Sequence, residues 1–137
     1  MQLHSQKPQH INNSPVYYVK LQDAFVVEAN AVGSWQKIGY TMQNSNNFNY
    51  VGNFAGSNNG STMLSSISAA TEGWSASATA AKMNDCQNGV WKVLFNKSSD
   101  ATNPVTYSAT ANSVACQMLS TSLEQLTRGN YSVASGS

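Results

Sequence analysis

The chain has 137 residues, a formal net charge of +1 and only 9% charged residues. That length fits one domain. The charge balance offers neither the basic field that attracts nucleic acid nor an acidic surface for cationic partners. Three Trp and six Tyr add large apolar area to a sequence rich in Ser, Asn, Thr and Gly, so a folded body with a modest core is expected.

Residues 1–13 are polar and aperiodic and read as a flexible N-terminal arm or an added start. They carry both histidines, His4 and His10. A solvated tail is the favoured reading of that pair, and a weak metal site the lesser one. The arm contains no apolar run of signal-peptide or membrane-spanning length, so the expectation is a mature or trimmed chain. A globular domain is expected over 14–137.

Ser14 followed by Pro15 predicts a helix start, with Ser14 as the cap and Pro15 at the first helical position, where its missing N–H costs nothing. Leu21, Phe25, Ala29 and Val32 recur at helical spacing beside Tyr18 and Ala24, and Gly33 is the expected stop. From Trp35 to Leu64 the sequence predicts turns, with one strand around Phe48 to Phe54. Gly52, Gly56 and Gly60 lack the Lys-Ser/Thr that a phosphate-binding loop requires.

Beyond Thr71 the period changes to two. Trp74, Ala76, Ala78 and Ala80 alternate with polar residues, and Asn88-Gly89 marks a turn before the strand Val90 to Phe95. Val105, Tyr107, Ala109 and Ala111 alternate again and predict a hairpin back onto it. Ala115 to Leu126 is ambiguous between a strand and a helical turn, and Gly129 to Ser137 reads as a loose end.

The expected fold is α+β: one N-terminal amphipathic helix packed on an antiparallel β-sheet, with a C-terminal disulfide-bounded loop. Leu21, Phe25 and Val32 are expected to meet Trp91, Val93 and Phe95.

Cys86 and Cys116 are the only cysteines and form no metal-binding, redox or haem-attachment motif. A disulfide between them is the preferred reading, and two buried reduced thiols the other. With both histidines in the arm, a Ser or Cys nucleophile has no base on the body. The carboxylates Asp23, Glu28, Glu72, Asp85, Asp100 and Glu124 are scattered without an acid–base pair. The expectation is a non-catalytic protein with no cofactor and no metal.

A helix with Pro near its start, an aromatic and Gly-rich connection, antiparallel strands and a Cys-bounded C-terminal loop follow one another in that order. So arranged, residues 14–126 resemble the soluble head of type IV pilins and type II secretion pseudopilins. The resemblance is carried by Gly33-Ser34-Trp35-Gln36-Lys37-Ile38-Gly39-Tyr40, by Asn84-Asp85-Cys86-Gln87-Asn88-Gly89-Val90-Trp91-Lys92 and by Ala115-Cys116-Gln117-Met118-Leu119. It implies an exported structural subunit of a bacterial surface filament, serving adhesion, motility, secretion or DNA uptake. Its partners would be other pilin subunits, in a homopolymer or with a separate helix chain. That family's apolar N-terminal helix has no counterpart in Met1 to Asn13, so contact with a membrane is expected only through a helix outside this sequence. The alternative reading is a secreted module that stacks a surface glycan on exposed Trp35, Tyr40 and Tyr50, with Trp74 and Trp91 as further candidates.

Overall fold

The computed structural model describes residues 14–52, 60–67 and 70–134. The polar arm with His4 and His10, together with Phe54 and Gly56, lies outside the described residues.

Helix α1 spans Ser14–Ala29. Its inward face is Pro15, Tyr18, Val19, Gln22 and Val26, all buried and spaced as one side of a 3.6-residue repeat. This corrects the expected stripe: Leu21 and Phe25 are half-buried at the margin of the core, and Ala29 is exposed. Counting apolar residues alone rotates the face, because a polar residue, Gln22, sits at its centre.

The helix also stops earlier than Gly33. Asn30 takes a left-handed conformation (φ 55°), and its N–H donates to the Val26 carbonyl at 2.9 Å. Asn tolerates that conformation better than most residues and so ends the helix. Val32 therefore belongs to strand β1 (Ala31–Gly33), where it is fully buried.

The Gln22 side chain ties the helix to that strand. Its Nε2 donates to the Gly33 carbonyl at 2.9 Å and to the Tyr18 hydroxyl at 3.1 Å, while the Gly33 N–H donates to Oε1 at 2.8 Å. Both backbone groups of Gly33 are thus satisfied inside the core by one amide. A Cβ at Gly33 would come within 2.8 Å of Ile38 Cγ2, so the approach requires glycine. Helix α2 (Trp35–Ile38) follows, opened by the Ser34 Oγ cap on the Lys37 N–H and closed by left-handed Gly39.

Among the described residues five strands form the main sheet, in the order β2 (Phe48–Val51), β4 (Thr71–Ala78), β7 (Val90–Lys97), β8 (Val105–Ala111) and β9 (Tyr131–Val133). All neighbours are antiparallel except β8 and β9. Two small pairs flank the sheet: β1 with β3 (Ser61–Met63), and β5 (Lys82–Met83) with β6 (Cys86–Gln87).

Trp91, Val93 and Phe95 of β7 and Val105, Tyr107, Ala109 and Ala111 of β8 are buried, and their sequence neighbours within those strands are not. The period of two thus follows the pleat. In β4 a bulge between Glu72 and Trp74 shifts the register, and Ala80 lies exposed beyond the strand. A Cβ on Gly73 in that bulge would collide with the Tyr18 hydroxyl, so a bare backbone is what lets the helix reach the sheet.

The free edge of β2 is covered by its own loop. The Ser45 N–H donates to the Phe48 carbonyl at 2.8 Å, and Asn44 Oδ1 accepts from the Tyr50 N–H at 2.8 Å, which blocks further strand pairing.

The C-terminal stretch is more ordered than its sequence suggests. Ala115 to Leu126 resolves into α3 (Val114–Gln117), capped by Ser113, and α4 (Ser122–Leu126). The expected loose end contains β9, whose Tyr131 is buried. A three-residue parallel strand has no local periodicity to announce it; its pairing with Ala109–Ala111 is long-range. The chain is mixed α+β with an antiparallel-rich sheet and one disulfide.

Gln22→Ala strands a buried N–H and a buried carbonyl at Gly33. It is expected to cost about 2–4 kcal/mol in urea unfolding. A loss below about 0.5 kcal/mol would show that water replaces the clamp.

Candidate functional site

Cys86 and Cys116 form the disulfide, with Cα atoms 4.5 Å apart and both residues buried. The bridge lies against Trp91, whose indole N–H donates to the Cys116 carbonyl at 2.8 Å. A Cβ on Gly89 would lie 2.5 Å from the Trp91 ring and 2.7 Å from Cys86 Sγ, so the turn before β7 packs directly on bridge and ring. Asn112 reinforces this junction. Its Oδ1 accepts from the Val90 N–H at 3.0 Å, and its Nδ2 donates to the Asn88 carbonyl at 2.9 Å. The segment after β8 is thereby fastened to the turn that opens β7.

The three aromatics considered as a glycan platform do not form one. Tyr40 is only 1% exposed; its ring packs edge-on against Trp35 (centroids 4.7 Å) and Tyr18 (5.6 Å), and its hydroxyl accepts from Trp74 Nε1 at 3.0 Å. Trp35 is half-buried and donates its indole N–H to the Gly73 carbonyl at 2.8 Å. Tyr50 is half-buried between Phe48 and Trp74. Trp74 and Trp91 are fully buried. These rings pack on one another, and the polar atoms of Tyr40, Trp35, Trp74 and Trp91 are bonded inside the protein, which is how aromatics serve a core.

Of the expected core residues, Val32, Trp91, Val93 and Phe95 are buried together, and Leu21 and Phe25 pack on the rim of that cluster.

One interaction has no counterpart in the sequence pattern. The Tyr107 hydroxyl donates to Asp23 Oδ1 at 2.9 Å, joining β8 to α1 across 84 positions. Partial burial against the sheet raises the Asp23 carboxyl above its ordinary value, and the Tyr107 bond only partly offsets this. Burial, with the carboxylate beside it, pushes the Tyr107 phenol far up, so it stays a neutral donor. Nothing local links positions 23 and 107; the only signal was that Tyr107 falls in the inward register of its strand.

Among the described residues no three His, Cys, Asp or Glu side chains gather as metal ligands. Glu72 pairs with Lys92 at 3.4 Å on the outer side of the sheet. The sheet face carrying that pair also presents Ser75, Ser77, Ser108 and Thr110, all half-buried.

Exposed apolar side chains are spread over several elements. On α1, Tyr17 is 57% and Val27 77% exposed; Val114 of the disulfide-linked α3 and Met118 just after it are 62% and 69% exposed; Val51, Met63 and Val133 on the strands are exposed as well. No protein-family model, curated protein or solved structure matches this chain.

Replacing both cysteines by serine releases a cross-link that spans 30 positions. The chain-entropy model gives an expected loss of about 3–4 kcal/mol in chemical unfolding. An unchanged midpoint would place the stability of the junction in Trp91 and Asn112 alone.

The raised Asp23 pKa means the folded state holds that proton more tightly than the unfolded state does. Its contribution is therefore favourable in acid and is lost as pH rises from about 3.9 through the folded value. Asp23→Asn should raise the melting temperature at pH 7, with the gain disappearing below about pH 3.9. A variant less stable than the parent at pH 7 would contradict this sign.

Proposed function

We propose that this chain is the head of a pilin- or pseudopilin-like subunit, a non-catalytic structural component of a surface filament on the bacterial envelope. The observation that carries the reading is the two-sidedness of α1. Tyr18, Val19, Gln22 and Val26 bury toward the rest of the protein, while Tyr17, Ala24 and Val27 remain exposed on the same sixteen-residue helix. A helix with one side in its own core and further apolar residues in water is suited to lie between its head and a neighbouring subunit.

The rest of the arrangement supports the same reading. The helix precedes the sheet, the connection from Asn30 to Ala70 supplies an edge strand, and the disulfide secures the segment after β8. The Ser- and Thr-bearing sheet face would then form part of the filament exterior. Burial of Tyr40, one of the three rings named for it, weighs against the glycan-stacking alternative.

The partners in this reading are further copies of the subunit, or a separate chain that provides an apolar helix. Among the described residues no helix is long and apolar enough to cross a membrane. Assembly would therefore draw its main apolar area from such a helix, at about 25 cal/mol per Å² buried.

The test expresses the head alone, with a pilin-type apolar helix fused ahead of Ser14, and with that helix supplied as a second chain, each in a pilus-assembly host. Electron microscopy should show filaments only when the helix is present. Tyr17→Lys with Val27→Lys should abolish them while the melting temperature of the isolated head holds. Filaments from the head alone, or none from either helix-supplied form with a folded head, would overturn the proposal.

A further inference from the structure

A solvent-open cleft of about 210 Å³ lies where α1, the edge of β8 and the turn from α4 into β9 meet, lined in part by buried Val105 and Tyr107 and by exposed Asp23, Asn103, Arg128 and Asn130. Its floor is unpaired strand backbone. Ala109 sends its N–H outward to the Asn130 carbonyl at 2.8 Å, and the Ala111 carbonyl accepts outward from Ala134 N–H at 2.8 Å. Odd-numbered residues of β8 thus aim their backbone groups away from β7.

Val105 and Tyr107 continue that series, but the pairing with β9 begins only at Ala109. Among the described residues no hydrogen bond takes up the outward N–H and carbonyl of either one, although both residues are buried. Four backbone groups thus have no hydrogen-bond partner among the described residues, and they line a place where a hydroxylated molecule could take them up.

The walls add opposite charges. Asp23 Oδ1 is engaged by the Tyr107 hydroxyl, and Oδ2 has no partner among the described residues. Arg128 makes no ion pair among them either.

We propose that this cleft binds a small neutral polyol of monosaccharide size. The volume equals that of about seven waters, enough for one hydroxylated ring but not for the several residues that strand addition would require. A carboxylate beside the site disfavours an anion, and a guanidinium disfavours a cation. Hydroxyls both donate and accept, so they match a surface that offers two backbone N–H groups, two carbonyls, a carboxylate oxygen and an arginine. The site is separate from the exposed face of α1 and does not depend on the assembly reading.

The experiment titrates the isotopically labelled 137-residue chain with glucose, galactose, mannose and myo-inositol, and with L-alanine as a zwitterionic control, following amide shifts by NMR. At least one polyol should give saturable shifts at Asp23, Val105, Tyr107 and Arg128. Arg128→Asn suits the left-handed backbone at that position (φ 55°), and should weaken binding at least tenfold with the spectrum otherwise folded. Asp23→Ala should do the same. Shifts confined to other surfaces, a response to L-alanine alone, no response to any probe, or undiminished binding in both folded variants would each overturn the proposal.

Discussion

The fold turns on a polar side chain in the middle of an apolar face. Gln22, fully buried, replaces the strand partner that Gly33 would otherwise need, and so sets where the chain lies as it leaves α1. An unsatisfied pair of backbone groups at that depth would cost several kcal/mol, comparable to much of a small domain's net stability. The same amide donates to Tyr18, whose ring meets Tyr40 and whose hydroxyl fits over the bare backbone of Gly73. Helix, connection and sheet are thus positioned from one residue, with glycines at two close approaches, Gly33 and Gly73.

A second anchor works at the far end of the sheet by a different principle. The disulfide, the Trp91 indole and the Asn112 amide converge on the turn before β7, combining a covalent cross-link with hydrogen bonds to backbone. Together they hold α3 where Val114 and Met118 face solvent. Of the exposed apolar residues, those on α1 are tied down by Gln22 and those at α3 by the bridge, while Val51, Met63 and Val133 stand on β2, β3 and β9. Rigid presentation of this kind would suit the proposed structural subunit, because ordering costs already met in the folded protein would not be charged to assembly.

Between these anchors, the edge of β8 is the least complete part of the sheet. Its upper half is paired by β9, its lower half ends in the cleft beside Asp23 and Arg128, and the Tyr107–Asp23 bond crosses from strand to helix at that place. The opposite edge, β2, is closed by Asn44 and Ser45. The two edges therefore differ in kind: one is blocked by its own loop, and the other is left open into a polar hollow too small for another strand.

What the amino-acid sequence determined by itself is what short-range chemistry controls. Alternation at Val90–Phe95 and Val105–Ala111 announced two strands and their hairpin, because a pleat places every second side chain on one face. Asn88-Gly89 announced the turn, and the isolation of Cys86 and Cys116 from any metal motif pointed to the bridge. The tertiary structure alone decided the rest. It turned α1 by about one residue because Gln22 is buried, a choice visible only once Gly33 is in place to receive it. It put Val32 in a strand, withdrew Tyr40 into the core, and made a parallel strand of Tyr131–Val133. It also joined Asp23 to Tyr107. Each of these depends on a partner distant in the chain, and hydrogen-bond satisfaction at a distance leaves no periodic trace in the residues that supply it.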